Sequence, residues 1–218
     1  MQQIVIAGGG GFGLQIAQYL LSDAASGQLR GYAIKGVIDD TFAESPSLPY
    51  FPLPYLGSIV DYRPDQEDVL LIAIGSPRGR RIVHRNLLKA GARFMTYVHP
   101  SSYVAADAEL GEGVVIFPNS VINSKVVVGA FSVINVFCSI GHGAAIGEFS
   151  VLSPYAALNG DARIGSDCFL GTRATVFPCV SMGNLCVVDT HAYVKAKTGD
   201  RKIVSVRGNY VVLDNRLA

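Results

Sequence analysis

The sequence predicts a two-part chain: a small parallel α/β sheet over residues 1–97, then a solenoid of stacked hexads over 98–200, with 201–218 as a tail. Three observations carry this. An aliphatic residue or Met opens every hexad from Val98 to Val194, seventeen in succession, and short fixed periods mark stacked repeat architectures. The fifth position of each hexad is small or compact, from Ser102, Ala108 and Val114 through to Ala192 and Thr198. Upstream of the hexads, an apolar strand, a glycine turn and an amphipathic helix follow one another, as in a parallel α/β unit.

The hexad has a simple physical reading. Residues two apart in an extended chain share a face, so the small fifth residue and the aliphatic residue opening the next hexad both point into the coil. The position after that aliphatic is expected to turn a corner. It is filled by Gly111, Gly129, Gly141, Gly147, Gly165, Gly171 and Gly183, with Asn123, Asn135, Asn159 and Asp189. These residue types tolerate left-handed backbone. Three strands and three corners make a triangular coil of eighteen residues. At roughly 4.8 Å per stacked coil the prism is on the order of 27 Å long.

The N-terminal part opens with strand residues 3–7, continues through Gly8, Gly9, Gly10, Gly11, Phe12 and Gly13, and enters a helix from Leu14. Bare backbone at a helix N-terminus suits a phosphate. A second strand over 34–38 ends at Asp39 and Asp40, and a third over 69–74 ends at Gly75 and Ser76. The three strand ends gather at the carboxyl edge of one sheet, where ligands bind. Fewer than one hundred residues precede the hexads, so a mononucleotide portion fits better than a full dinucleotide fold. A last strand over 94–97 is expected to lead into the first hexad.

Composition bounds the function. Net charge is +1 and the longest basic cluster is Arg78-Gly79-Arg80-Arg81, which argues against nucleic acid as a partner. No apolar run reaches a membrane span, and the opening residues lack a cleavable secretory pattern, so a cytoplasmic protein is expected. Cys138, Cys168 and Cys186 fall in the small inward column, with no metal-ligand or disulfide spacing. Among four histidines, His84 reads as a surface or packing residue, His99 as a junction residue and His191 as a late corner without a partner. His142 stands between Gly141 and Gly143, so its ring has room to project outward.

A Rossmann-like α/β domain joined to these hexads resembles the bacterial sugar O- and N-acetyltransferases with hexapeptide repeats, from Ile4 to about Val194. The matching stretches are Gly11-Phe12-Gly13, Ile38-Asp39-Asp40, Ile72-Ala73-Ile74-Gly75 and the run from Asn135 to Gly160. The resemblance implies a left-handed parallel β-helix and a homotrimer. It also implies acetyl-CoA as co-substrate, no metal, and a nucleotide-linked amino sugar, a UDP-sugar, as acceptor. Substrate would be bound by Gly9, Gly10, Gly11, Asp39, Asp40, Gly75 and Ser76. His142 would be the general base, Gly160 N–H the oxyanion donor, and Asn135 a polar residue orienting the histidine. CoA would run past Val151, Thr172 and Thr190.

Two departures stand out. The family often places Glu after the histidine, where this chain has Gly143; eighteen residues on, Asp161 is the expected substitute, with a solvated corner aspartate as the alternative. The tail 206–210 lacks the family's Gly-x-Pro-Ala turn and is approached by Lys195, Lys197, Arg201 and Lys202. Other readings remain open: O-acetylation of sialic acid or another free sugar, and a non-catalytic sugar-nucleotide-binding β-helix protein.

Overall fold

The computed structural model describes residues 1–41 and 51–206. The anomalous tail beyond Val206 lies outside the described residues. The chain begins with β1 (Gln2–Ala7), α1 (Gly11–Ala25), β2 (Tyr32–Ile38), β3 (Asp68–Ile72) and α2 (Pro77–Lys89). The strands form a three-stranded parallel sheet in the order β2-β1-β3. Residues 4–7 are fully buried on both faces, as expected of a central parallel strand. In α1, Gly13, Ile16, Ala17 and Leu20 are buried, a spacing that puts one apolar stripe against the sheet. α2 starts at Ser76, whose hydroxyl accepts from the Gly79 N–H, with Pro77 in the first turn; both are favourable starting signals.

The expected strand over 94–97 is divided between the two parts. Phe94 bridges Leu70 at the edge of the sheet, while Tyr97 already belongs to the first solenoid strand, β4 (Tyr97–Val98). From there two-residue strands recur to β21 (Ile203–Val204) and stack into parallel sheets of seven, six and five strands. This is a parallel β-solenoid of about six turns. Each strand pairs with the one eighteen residues later, as in Val133 with Val151 and Ile140 with Leu158. The solenoid outlasts the hexads: Met182 bridges Thr198 and Val188 pairs with Val204, a step of sixteen. So β21 sits inside the stretch expected to be tail.

The core is the predicted one. The hexad-opening residues and the small column, including Cys138, Cys168 and Cys186, form one buried cluster. The corners differ from expectation. The glycines one position after the aliphatic do not carry positive φ; left-handed backbone sits two residues further on, at Asn119, Lys125, Phe131, Phe137, Phe149, Tyr155, Asp161 and onward, with Gly113 and Gly143 in the same register. The left-handed residue turns its N–H onto a carbonyl of the coil below, as in Phe149 to Ala130 and Asp161 to His142. That bond offsets a conformational cost of about 1–2 kcal/mol per non-glycine residue.

The glycines of the other class answer a different demand. A Cβ on Gly141 would lie 2.6 Å from the Gly160 nitrogen, and one on Gly147 2.4 Å from Gly165 and Ser166 backbone. They are small because the next coil passes too close. Between the two classes lies a position whose N–H the corner leaves unused, which is where Pro118, Pro154 and Pro178 are tolerated.

The N-terminal part packs on one face of the prism. Val115, Val133 and Val151, outward-facing on the seven-stranded sheet, share a buried cluster with Ile4, Ile6, Ile16 and Leu20. Phe131 and Phe149, at the edge between the five- and seven-stranded sheets, join Val83 and Leu87 of α2.

Candidate active site

His142 lies in the corner between β11 (Ser139–Ile140) and β12 (Ala145–Ile146), on the edge shared by the six- and five-stranded sheets. Its side chain is 74% exposed. The ring lies over Gly160, where a Cβ would come within 2.8 Å of Cε1 and Nε2. Gly160 is therefore glycine because the imidazole of the coil below lies against it. Among the described residues nothing accepts the Gly160 N–H.

The carboxylate of Asp161 approaches the same ring from the next coil, with Oδ2 3.8 Å from Nδ1. This is an ion-pair distance and too long for a hydrogen bond. Gly143 makes the approach possible: a Cβ there would fall 2.2 Å from Asp161 Oδ1, and its φ is +65°. Gly143 and Asp161 thus occupy one corner column, in which the glycine yields its space to the carboxylate. One coil below His142, Ser124 donates to Asp107 at 2.7 Å and accepts the Gly143 N–H on its carbonyl.

At the carboxyl edge of the N-terminal sheet the glycines divide in the same way. Gly8 and Gly13 are packing glycines: a Cβ on Gly8 would meet the Ala73 carbonyl at 2.6 Å, and one on Gly13 would collide with the Gly8 carbonyl. Gly10 and Gly11 face open space, so bare backbone is offered there without a packing reason. Asp39 is buried, and its Oδ2 accepts the Gly9 N–H at 2.6 Å while Oδ1 accepts from Thr41. It fixes the glycine turn. Asp40 is exposed and accepts the Val60 N–H at 3.2 Å; Gly75 is open, and Ser76 caps α2.

No protein-family model matches this chain, and no curated protein sequence matches it. Solved structures do. A histidine-to-asparagine mutant of perosamine N-acetyltransferase from Caulobacter crescentus, in complex with CoA and GDP-perosamine, superposes with a TM-score of 0.81 at 25% identity, over 96% of this chain and 98% of that one. The acetyltransferase domain of PglB from Neisseria gonorrhoeae gives 0.80 at 22%, over 93% and 96%. WeeI from Acinetobacter baumannii gives 0.78 at 22%, over 92% and 94%. The chain thus shares its fold, over nearly its whole length, with solved sugar acetyltransferases.

The expected site residues separate into groups. His142, Gly160 and Asp161 come together; Gly9, Gly10, Gly11, Asp39, Asp40, Gly75 and Ser76 gather at the sheet edge. Asn135 does not join His142. It sits one edge away, between the seven- and six-stranded sheets, where its Oδ1 accepts the Val136 N–H at 2.8 Å. Its side chain closes its own corner, so it cannot orient His142 of the same chain. Thr172 and Thr190 lie on that edge too, whereas Val151 is buried beneath the N-terminal sheet and gives its N–H to Cys168.

Sequence reasoning missed what α2 does. Arg81 makes two 2.8 Å bonds to Asp167 and lies 4.0 Å above the Phe149 ring. His84 packs 4.1 Å from Phe131, and burial lowers its pKa. The available signal was aromatic residues eighteen apart, Phe131 and Phe149, followed by Asp167. Among the described residues no cluster suits a metal and no helix is long and apolar enough to cross a membrane.

Proposed function

We propose that the protein transfers the acetyl group of acetyl-CoA to the amine of a nucleotide-linked amino sugar, with His142 as general base. The observation that carries this is the placement of an exposed imidazole over an unspent Gly160 N–H, with a carboxylate at its other nitrogen. The neutral imidazole takes the amine proton at Nε2 as the amine nitrogen attacks the thioester carbonyl. The Gly160 N–H then donates to the oxyanion of the tetrahedral intermediate. Collapse breaks the C–S bond, and the imidazolium returns its proton to the leaving CoA thiolate. No acyl-enzyme forms. Asp161, 3.8 Å from Nδ1, stabilises the positive charge that develops on the ring, in place of the neighbouring carboxylate that Gly143 lacks.

The acceptor nucleotide, a UDP-sugar by sequence resemblance, is assigned to the carboxyl edge of the N-terminal Rossmann-like sheet, with phosphates near Gly10 and Gly11 and ribose or base near Asp40. The perosamine enzyme's GDP-sugar and CoA complex supports this class of substrate. In one chain, however, that sheet rests on the seven-stranded face, while His142 stands on the edge farthest from it. This separation supports a homotrimer in which the nucleotide site of one copy faces His142 of the next. Tyr103, Val121, Phe137, Tyr155, Phe177 and Tyr193, exposed in the isolated chain, would be covered there. Asn135, Thr172 and Thr190 of one copy would then border the neighbour's histidine and the CoA groove.

The test follows CoA thiol release from acetyl-CoA with UDP- and GDP-linked amino sugars and with sialic acid. Release with an amino sugar that disappears in His142→Ala is the expected result. Release with sialic acid alone would replace N-transfer by O-transfer. Binding without release under all conditions would leave a sugar-nucleotide-binding protein and refute the catalytic assignment.

A further inference from the structure

A groove of about 550 Å³ opens between α2 and the upper coils of the seven-stranded face. Its helix wall is Arg78, Arg81, Ile82 and Arg85, and its solenoid wall includes Phe169 and Leu185. Ser76 lines it as well, so the groove runs into the sheet edge already assigned to the nucleotide. Its charge is one-sided. Asp167 is the carboxylate within it, and Arg81 uses both of its oxygens. Arg78 and Arg85, seven residues apart and therefore on one face of the helix, are exposed and form no ion pair among the described residues.

On the opposite face of α2, turned away from the groove, lies a further cation. Arg80 is fully buried and donates to the carbonyls of Ile72, Ile74 and Phe131. Its Nη2 has no partner, and no carboxylate neutralises it among the described residues. Burial pulls its pKa down to about 9, which still leaves it charged at neutral pH. The groove itself therefore rests on Arg78 and Arg85, and arginine forks match phosphate oxygens in pairs.

We infer that this groove extends the nucleotide site, so that the acceptor's diphosphate, entering past the Gly10 and Gly11 backbone, is gripped on its sugar side by Arg78 and Arg85 while Phe169 and Leu185 flank its uncharged portion. The inference rests on the nucleotide-sugar reading above and adds the residues that hold the charge. Arg80 lies outside the groove and takes no part in it. Arg81 is a wall, held in place by Asp167 and Phe149.

Calorimetric titration of the full chain with UDP, GDP, uridine, guanosine and inorganic pyrophosphate tests it, using the surface double variant Arg78→Gln/Arg85→Gln. Affinity for the preferred diphosphate and for pyrophosphate should fall about tenfold or more, the scale of a lost charged hydrogen bond, with nucleoside affinity unchanged. Unchanged diphosphate binding would overturn the arginine assignment while leaving the nucleotide-sugar reading intact. Equal losses for nucleoside and diphosphate would also overturn it, as a structural effect. Failure of the unmodified protein to bind UDP or GDP would instead overturn the parent reading. Sedimentation of the double variant supplies the last outcome: a changed oligomeric state would reassign the groove to contact between copies.

Discussion

Two edges of the same prism share one backbone and serve opposite ends. At the edge under α2, the left-handed corner column reads Gly113, Phe131, Phe149, Asp167 and Leu185; the Phe131 and Phe149 rings stack at 5.0 Å and are buried by α2. At the His142 edge the matching column reads Lys125, Gly143, Asp161 and Cys179, and it stays open. The corner hydrogen bonds are alike: Phe149 to Ala130 at 2.9 Å, Asp161 to His142 at 2.8 Å. The coil therefore supplies geometry, and the corner side chains decide between a docked edge and the open one proposed for chemistry. At the second edge the decision is made by two omissions, the missing Cβ atoms of Gly143 and Gly160.

The sharpest way to separate the edges is by activity. His142→Ala should lower kcat by roughly a hundred- to ten-thousandfold, with the melting temperature unchanged. Phe149→Ala should do the reverse. It should cost about 3–5 kcal/mol of stability, as for a buried aromatic, with the activity of the folded fraction retained; denaturant melts and active-site titration read both quantities. A paired substitution sharpens the distinction between glycines. Gly147→Ala meets neighbouring backbone and should destabilise by about 1–3 kcal/mol, whereas Gly160→Ala meets the exposed imidazole first and should reduce kcat while leaving stability nearly intact.

Asp161→Asn is the subtler case. A roughly tenfold fall in kcat is expected, because the carboxylate stands beside the ring that gains positive charge in the transition state. Relocating the charge in Gly143→Glu/Asp161→Gly should recover part of the rate; an unchanged kcat in Asp161→Asn would make the carboxylate a bystander. The smallest effect concerns thiols. Burial pushes Cys138 up to about 12 and Cys168 up to about 11, so at pH 8 both remain protonated and unreactive. Alkylation should reach the exposed Cys179 in the native protein and the other three cysteines only after unfolding, which peptide mass mapping will show.

The solenoid was legible because its period is set by burial: the aliphatic and small columns must point inward wherever the chain coils. The corner conformation was misread because glycine answers two demands that look alike in sequence. Gly141 is required by the neighbouring coil at 2.6 Å, whereas Gly143 combines positive φ with room for a carboxylate. The pairing of Asp161 with His142 could be found by counting eighteen residues. The separation of Asn135 from His142 could be counted too: seven residues apart, they fall in consecutive corners, and the resemblance was followed instead of that count. The seat of α2 was hidden because Arg80 and Arg81 reach partners 51 and 86 residues away, and His84 packs on a ring that no local pattern links to it.

The central claim is that acetyl transfer needs His142 from one copy and a nucleotide site from another. Mixing His142→Ala with Gly10→Val/Gly11→Val, each inactive alone, tests it after the subunits are allowed to exchange. In a cyclic heterologous trimer about a quarter of wild-type activity should return, because some interfaces regain both intact halves. Complete absence of recovery, with exchange verified by mass, would contradict the account and confine the site to a single chain.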